Sequence, residues 1–185
     1  MRKLVATVAV ALSAAAMMPS IEVRAEEPPA LAEAAARFEG SWVPVNEATA
    51  RAGILSAIEN VVGEMNFIKR PFARSKLRST NQLLANVQFQ FSGAQLTYTY
   101  NGGKVIRTTV NGPAVRWKSP DDKEFYQVGT TLKDRRFTQT FRGADGSKQE
   151  VFDLDSSGKS LSYWAAVSSP KLPKVLRYSY PLKRK

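Results

Sequence analysis

The sequence contains no cysteine and no histidine, and each absence excludes a group of functions. Without cysteine the chain forms no disulfide, offers no thiol nucleophile and carries no lipid on a cysteine side chain. Without histidine it lacks the usual general base and the commonest ligand of zinc and copper sites. We therefore expect a protein that is not an enzyme and that uses no metal and no cofactor.

Carboxylates are the remaining candidates for acid and base chemistry, and they fall in two groups. The first contains Asp121, Asp122 and Glu124, and the second contains Glu150, Asp153 and Asp155. Both groups lie at or beside predicted turns, where aspartate is favoured because it forms local hydrogen bonds. We interpret both groups as structural.

Acidic residues are also missing from one long window of the chain. Residues 65–120 contain no Asp or Glu but nine Lys and Arg, in a chain whose net charge is +11. Such a window favours a surface that meets an anion or an anionic membrane, although an ordinary solvated face is the alternative. Five of these cations fall within ten residues, and we expect their charges to point outward: Lys69, Arg70, Arg74, Lys76 and Arg78.

Residues 1–25 have the pattern of a signal peptide. Arg2 and Lys3 supply a positive start, and residues 4–16 form an apolar run that is too short to span a bilayer. Cleavage is predicted after Ala25 or, as a second option, after Ala16, and an uncleaved anchor is the alternative. We therefore expect export to the periplasm or the extracellular space, with no transmembrane span in the mature chain.

The rest of the chain has the length of a single domain. Residues 26–36 are predicted to be a partly disordered leader, with a short helix over residues 31–37, and residues 37–185 form the domain. A helical period of four and three follows Asn46, which is a favourable N-cap residue. It predicts one helix over residues 47–62 and a second that begins near Pro71, both closing one end of the fold. The apolar stripe comprises Ile54, Ile58, Val61, Met65, Ile68 and Phe72.

From residue 86 onward the hydrophobic period is two, and turn signals such as Asn101-Gly102 separate the apolar runs. With a first strand over residues 40–45, this predicts an up-and-down antiparallel β-barrel of about ten strands with a helical insert after the first strand; an open sandwich is the alternative. The later strands are predicted over residues 86–92, 95–100, 104–110, 114–118, 124–132, 136–142, 148–154, 160–167 and 175–183. Six inward aromatic residues are candidate ligand contacts: Phe89, Phe91, Tyr98, Tyr100, Tyr178 and Tyr180.

Phe38, Gly40 and Trp42 on the first strand resemble the short motif of the calycins, the lipocalin and fatty-acid-binding barrels. The resemblance implies that Trp42 closes the barrel base and that Gly40 and Trp42 are structural. The helical insert and ten-strand meander are similar to the fatty-acid-binding branch in particular. That branch holds a ligand carboxylate with an arginine and a tyrosine two positions apart on the last strand, whereas Arg177 lies on the opposite face from Tyr178 and Tyr180. With the predicted export, the chain looks like a bacterial secreted branch of unknown role.

Three functions are compatible with these features. The first is an exported barrel that carries or sequesters an apolar or amphipathic small molecule, a class that includes anionic lipid-like molecules. The second is a solidly packed barrel that serves as a structural or interaction protein of the cell envelope. The third is binding of nucleic acid through the basic window, with Tyr98, Tyr100 and Trp117 as stacking groups; export makes this partner unfavourable. A continuous interior void of several hundred cubic ångströms distinguishes the first function from the second.

Overall fold

The computed structural model of the protein describes residues 29–185, so the predicted signal peptide and the start of the leader lie outside the described residues. Three helices precede or follow the first strand: α1 (Pro29–Phe38), α2 (Glu47–Val62) and α3 (Arg70–Thr80). The ten strands are β1 (Gly40–Pro44), β2 (Val87–Ser92), β3 (Gln95–Tyr100), β4 (Lys104–Thr109), β5 (Val115–Lys118), β6 (Phe125–Lys133), β7 (Arg136–Gly143), β8 (Gly146–Leu154), β9 (Ser160–Ser168) and β10 (Leu176–Arg184).

All ten strands form one antiparallel sheet in the order β4-β3-β2-β1-β10-β9-β8-β7-β6-β5. Most consecutive strands pair with each other, and β1 joins the two halves because it pairs with both β2 and β10. The sheet curls into a nearly closed barrel with the helical insert after the first strand. The predicted fold class is therefore confirmed, and the open sandwich is excluded.

The barrel is not closed by backbone hydrogen bonds at every point, because β4 and β5 are the two ends of the sheet. Side chains bridge this gap. The indole Nε1 of Trp117 on β5 donates to the carbonyl oxygen of Val105 on β4 at 3.0 Å, and the Thr108 and Thr130 hydroxyls lie 2.9 Å apart. The Asn111 side chain bonds both backbone groups of Leu132. These contacts replace part of the missing strand pairing.

Helix α1 closes one end of the barrel, which we call the packed end. Phe38 and Trp42 are both fully buried there, and the Trp42 indole donates to the carbonyl oxygen of Phe38 at 2.9 Å. The Arg184 guanidinium lies 4.5 Å from the centre of the Trp42 ring and donates to the carbonyl oxygen of Glu39 at 2.6 Å. Arg184 thus fastens the end of the last strand to the start of the first strand and covers one face of Trp42.

Aromatic rings pack closely together in the packed end. Phe89 is at their centre, with ring centroids 4.9 Å from Phe137 and 5.3 Å from Phe152. Tyr98 packs on the same group at 5.4 Å from Phe89. The buried members are 0% exposed, which is typical of a hydrophobic core.

The two helices of the insert lie at the other end. Helix α2 packs Ile54, Ile58 and Val61 toward β10, and the side chain of Asn46 caps its start by accepting the amide of Thr49. The predicted stripe is wrong at its end, since Ile68 is 63% and Phe72 is 77% exposed. Helix α2 ends at Val62, and the Asn66 side chain accepts the amide of Ile68 in a turn. This turn resets the helical phase before α3 begins.

Candidate functional site

A cavity of about 800 Å³ lies at the insert end of the barrel, which we call the open end. Helix α3 forms its roof and contributes Phe72, Ala73 and Leu77 from one face. The β3–β4, β5–β6 and β7–β8 turns and the β9–β10 connection form its rim, and the cavity opens to solvent between them. Its volume lies within the usual range for small-molecule sites, roughly 300–1,000 Å³.

The walls of the cavity are mainly apolar and aromatic, which suits an elongated apolar molecule. The side chains that provide this surface come from α3, from the segments on either side of α3, from strands β3, β5, β7 and β9, and from the β9–β10 connection. They are Met65, Phe72, Leu77, Leu84, Tyr100, Trp117, Phe141, Val167 and Leu172.

The charged residues around the cavity balance one another. Five lysines and five carboxylates line it: Lys69, Lys76, Lys104, Lys148, Lys171, Asp121, Asp122, Glu124, Asp145 and Glu150. Most of them are paired, for example Lys104 with Asp121 at 2.6 Å and Lys171 with Asp145 at 2.6 Å. The cavity lining therefore carries both signs of charge in equal number, and so does the rim, where four lysines and four carboxylates remain once Lys148 and Glu150 are set aside.

One charged pair lies inside the barrel instead of on the rim. Lys148 and Glu150 both point inward from β8, and the Nζ of Lys148 is 2.8 Å from Oε1 of Glu150. The Glu150 side chain is 5% exposed and accepts the hydroxyl of Tyr163 at 3.2 Å and that of Tyr98 at 3.4 Å. The Lys148 side chain is 21% exposed, on the cavity side. Both residues line the cavity, and the ammonium is the more exposed of the two charged groups.

Burial and charge keep these groups in defined protonation states. Burial raises the pKa of the Tyr98 and Tyr163 hydroxyls well above the ordinary value, and the charge of Glu150 raises both pKa values further. Both hydroxyls therefore remain donors to the carboxylate. Burial alone would lower the pKa of Lys148, but the charge of Glu150, its hydrogen bond and the nearby tyrosines together raise that pKa.

Two further tyrosines from β10 surround the pair. The Tyr178 hydroxyl donates to Oδ1 of the buried Asn81 at 3.2 Å, and the Tyr180 hydroxyl accepts the amide of Leu84 at 3.0 Å. These bonds fasten the segment after α3 to the barrel wall. The ring centroid of Tyr163 lies 4.8 Å from that of Tyr180 and 6.3 Å from that of Tyr178, so these three tyrosines form one layer of packed rings, which we call the tyrosine layer.

The six aromatic residues predicted as ligand contacts occupy two different regions. Tyr100 lines the cavity. The other five lie deeper: Phe89 and Tyr98 in the packed end, Phe91 half-buried against the core, and Tyr178 and Tyr180 in the tyrosine layer. The structure thus brings Tyr98, Tyr178 and Tyr180 toward the Lys148–Glu150 pair, and contact of the six residues with a ligand stays a prediction.

The interpretation of Glu150 as a turn residue is wrong, because it lies in the middle of β8 with its carboxylate in the barrel interior. In the same group, Asp153 pairs with Arg136 at 2.6 Å, and Asp155 accepts the backbone amide of Lys159 in a turn. A signal for Glu150 existed in the sequence. The period of two places Lys148 and Glu150 on the same face of the strand as Phe152 and Leu154.

The first carboxylate group lies at the rim of the cavity. Asp122 accepts the hydroxyl of Tyr126 at 2.7 Å and the amide of Glu124. Burial would raise the pKa of Asp122, but these bonds and Lys76 lower it overall. Among residues 29–185 no group of three or more carboxylates is arranged to hold a metal ion.

The acid-free window does not leave the cations of α3 unpaired, because acids from outside it neutralise three of them. Glu59 on α2 pairs with Arg74 at 2.7 Å and with Arg78 at 3.0 Å, and Lys76 pairs with Asp122 at 3.2 Å. Arg70 donates to the carbonyl oxygens of Met65 and Gly63 at 2.7 Å each. Within the described part of the chain, Lys69 has no ion-pair partner. These pairs hold the roof helix to α2 on one side and to the rim on the other.

An apolar tip lies where the roof begins. Phe67 is 74%, Ile68 63% and Phe72 77% exposed, and Lys69 and Arg70 lie between them in sequence. Large side chains exposed together in this way mark an interaction site more often than scattered ones do. No helix within residues 29–185 has the length and apolar character needed to cross a membrane.

Comparisons with known proteins support the fold. No protein-family model matches the sequence, and no curated protein matches it either. A solved structure of a SAHS protein from Ramazzottius varieornatus is similar, with a TM-score of 0.55 at 8% identity over 80% of this chain and 96% of that one. A zebrafish ileal bile acid-binding protein complexed with cholic acid gives 0.49 at 13% identity over 80% and 99% of the two chains. A brain fatty acid-binding protein of Drosophila melanogaster gives 0.47 at 15% identity over 77% and 98%.

The strand order, the helical insert and the tryptophan at the packed end define the fold as a calycin-type barrel, in agreement with the first of these likenesses. The resemblance seen in Phe38, Gly40 and Trp42 is thereby confirmed as a resemblance of fold. At these identities the comparisons extend to the architecture and not to a ligand.

Proposed function

We propose that the protein is an exported, non-enzymatic binding protein that carries or sequesters an elongated apolar or amphipathic small molecule. The observation that supports this proposal is the cavity of about 800 Å³ beneath α3. A barrel that served only as a packed structural protein would fill this space with side chains, as the packed end does. The absence of histidine and cysteine favours binding over catalysis.

Filling the cavity tests the proposal. Ala73 lies on the inner face of α3 and lines the cavity, whereas Ser75, two residues further on, is exposed. We expect Ala73→Trp to abolish the binding of an environment-sensitive apolar dye and Ser75→Trp to retain it. Both variants should unfold at nearly the wild-type denaturant concentration. Equal dye binding by the two variants, or no dye binding by the wild type, contradicts the proposal.

Contact with an anionic membrane is part of the same proposal. The proposed contact surface is smaller than the basic window and consists of the apolar tip together with Lys69. The apolar tip of Phe67, Ile68 and Phe72 would enter the interface, and Lys69 would face the anionic headgroups, each such charge contributing about 1 kcal/mol. Phe67→Ser with Phe72→Ser should remove binding to anionic vesicles. Phe125→Ser, at a phenylalanine that is 50% exposed elsewhere, is the matched control. Equal binding of the wild type to zwitterionic vesicles contradicts this docking mode.

Export is proposed from the sequence pattern of residues 1–25. Expression of the full chain in a bacterium, followed by fractionation and N-terminal sequencing, should yield a periplasmic or secreted product that begins after Ala25 or Ala16. A product that retains Met1 and fractionates with the cytoplasm contradicts the proposal, and it leaves the binding experiment unaffected.

A further inference from the structure

The Lys148–Glu150 pair places two opposite charges at the floor of a mainly apolar cavity. The two side chains are not equally accessible. Glu150 has its Lys148 partner and two tyrosine donors, and its side chain is 5% exposed. An ammonium group has three donors, and Glu150 is the ion-pair partner of Lys148 within residues 29–185. Both groups line the cavity, but Lys148 is 21% exposed and Glu150 only 5%, so the N–H donors of the ammonium are the more accessible part of the pair.

From this arrangement we propose that Lys148 is a head-group subsite that favours an uncharged hydrogen-bond acceptor, such as the carbonyl of an amide or ester, over a carboxylate. The inference rests on the proposed function, since it concerns the polar end of a ligand whose apolar chain occupies the cavity. It names a ligand class: neutral acyl compounds in preference to free fatty acids.

The reason is the charge balance of the floor. The pair is neutral before binding, so a carboxylate would leave one net negative charge in a mostly buried site, next to Glu150. A carbonyl oxygen accepts from Lys148 without adding charge. The lysines and carboxylates of the rim are equal in number, so the rim supplies no positive excess to offset the added charge.

Tyr100 provides a second polar group on the wall of the same cavity. It lines the cavity, its ring centroid is 5.2 Å from that of Tyr98, and its hydroxyl has no hydrogen-bond partner within residues 29–185. Burial raises the pKa of this hydroxyl, and the charge of Glu150 raises it further, so it stays protonated. A hydroxyl both donates and accepts, which fits an amide or an ester better than a carboxylate alone.

The experiment compares two ligands of equal chain length, dodecanamide and dodecanoate, by displacement of a fluorescent apolar probe at neutral pH. We expect the wild type to bind dodecanamide about tenfold more tightly, a difference of about 1.4 kcal/mol. Glu150→Gln leaves Lys148 as a net positive charge, and this variant should reverse the preference. Lys148→Met leaves Glu150 alone and should widen the preference for the amide, which keeps the proposal testable if Glu150→Gln does not fold.

Asp145→Asn is the matched control, because it also converts an acid that pairs with a lysine of the cavity lining into its amide. Both partners of this pair are mostly exposed, at 69% for Lys171 and 65% for Asp145, so the ratio of the two affinities should change less than about twofold. Wild-type preference for dodecanoate, or a ratio unaffected by both interior variants, overturns the head-group subsite while the binding function stands. Failure of the wild type to bind either ligand contradicts the proposed function itself.

Discussion

The packed end and the open end of the barrel are made from the same strands but have opposite interiors. On β8, Phe152 lies in the aromatic core, whereas Lys148, four residues earlier on the same face, lines the cavity. On β3, Tyr98 is fully buried and Tyr100 borders the cavity. Stability is therefore concentrated at the end that α1 closes, and the space and polar groups for a ligand are concentrated at the end that α3 covers.

The largest expected effect breaks the packed end. Trp42 is 0% exposed and bonded to Phe38, so Trp42→Ala removes a large core side chain and should cost about 3–5 kcal/mol of the free energy of unfolding. Denaturant unfolding measures this loss. Trp164→Ala on the outer face of β9, where the side chain is half-buried, is the control and should cost clearly less. An unchanged unfolding midpoint for Trp42→Ala would refute the role of Trp42.

The second prediction concerns the packing of the insert. Ile58 is 0% exposed on the inner face of α2, whereas Leu55, one turn earlier, is 39% exposed. Ile58→Asp places a charge among apolar side chains and should cost at least about 2–5 kcal/mol, the range for emptying such a site. Leu55→Asp should change the unfolding free energy by less than about 0.5 kcal/mol. Similar losses for the two variants would show that α2 does not pack as described.

The third prediction separates the charged floor from the aromatic core. Lys148→Met leaves Glu150 enclosed without its cation and should cost about 2 kcal/mol, less than a fully buried pair because Lys148 is 21% exposed and two tyrosines still bond the carboxylate. Combining Lys148→Met with Glu150→Gln should recover most of this loss, since no charge remains. Unfolding of the four proteins of this double-mutant cycle measures the coupling. Additive losses would contradict a direct pair.

The smallest expected effect is the response of the roof to acid. The hydrogen bond from Arg74, helped by Arg78, holds the pKa of Glu59 below its ordinary value of 4.5. A lowered pKa means that the contact stabilises α3 above that value and is lost as the pH falls through the lower pKa of the folded state. Hydrogen exchange of the α3 amides should accelerate, relative to the intrinsic rate, below about pH 4. Glu59→Gln should weaken this pH dependence, and a wild-type profile in that variant would exclude the tether.

These two ends also differ in how far the sequence predicts them. The fold follows from local signals: Asn46 as a cap, the period of two in the strands, and turns such as Asn101-Gly102, where Asn101 has a φ of 44°. Trp42 at the packed end follows from its place on the first strand. The cavity does not follow, because alternation assigns a residue to the inner face without showing whether the interior beyond it is filled.

The charge pairs of the open end show why the basic window, residues 65–120, overestimates the positive charge of this surface. Arg74 meets Glu59 across 15 residues of chain, and Lys76 meets Asp122 across 46. The charge count of residues 65–120 includes neither partner acid, because Glu59 and Asp122 lie outside that window. Both contacts depend on how α3 is placed over the barrel. Glu150 is a different case. Its position in phase with Phe152 indicates a side chain that points into the barrel, whereas the turn signals nearby favour a structural role at a turn.

Tryptophan fluorescence tests most directly whether the open end of the barrel holds the proposed ligand. Trp117 lines the cavity, Trp42 is enclosed in the packed end, and Trp164 lies on the outer face. A dodecanamide brominated along its chain quenches tryptophan on contact. We predict saturable quenching of the wild type that is mostly lost in Trp117→Phe, although this variant still binds the unbrominated amide. Quenching of equal amplitude in Trp117→Phe would place the ligand elsewhere and contradict the account.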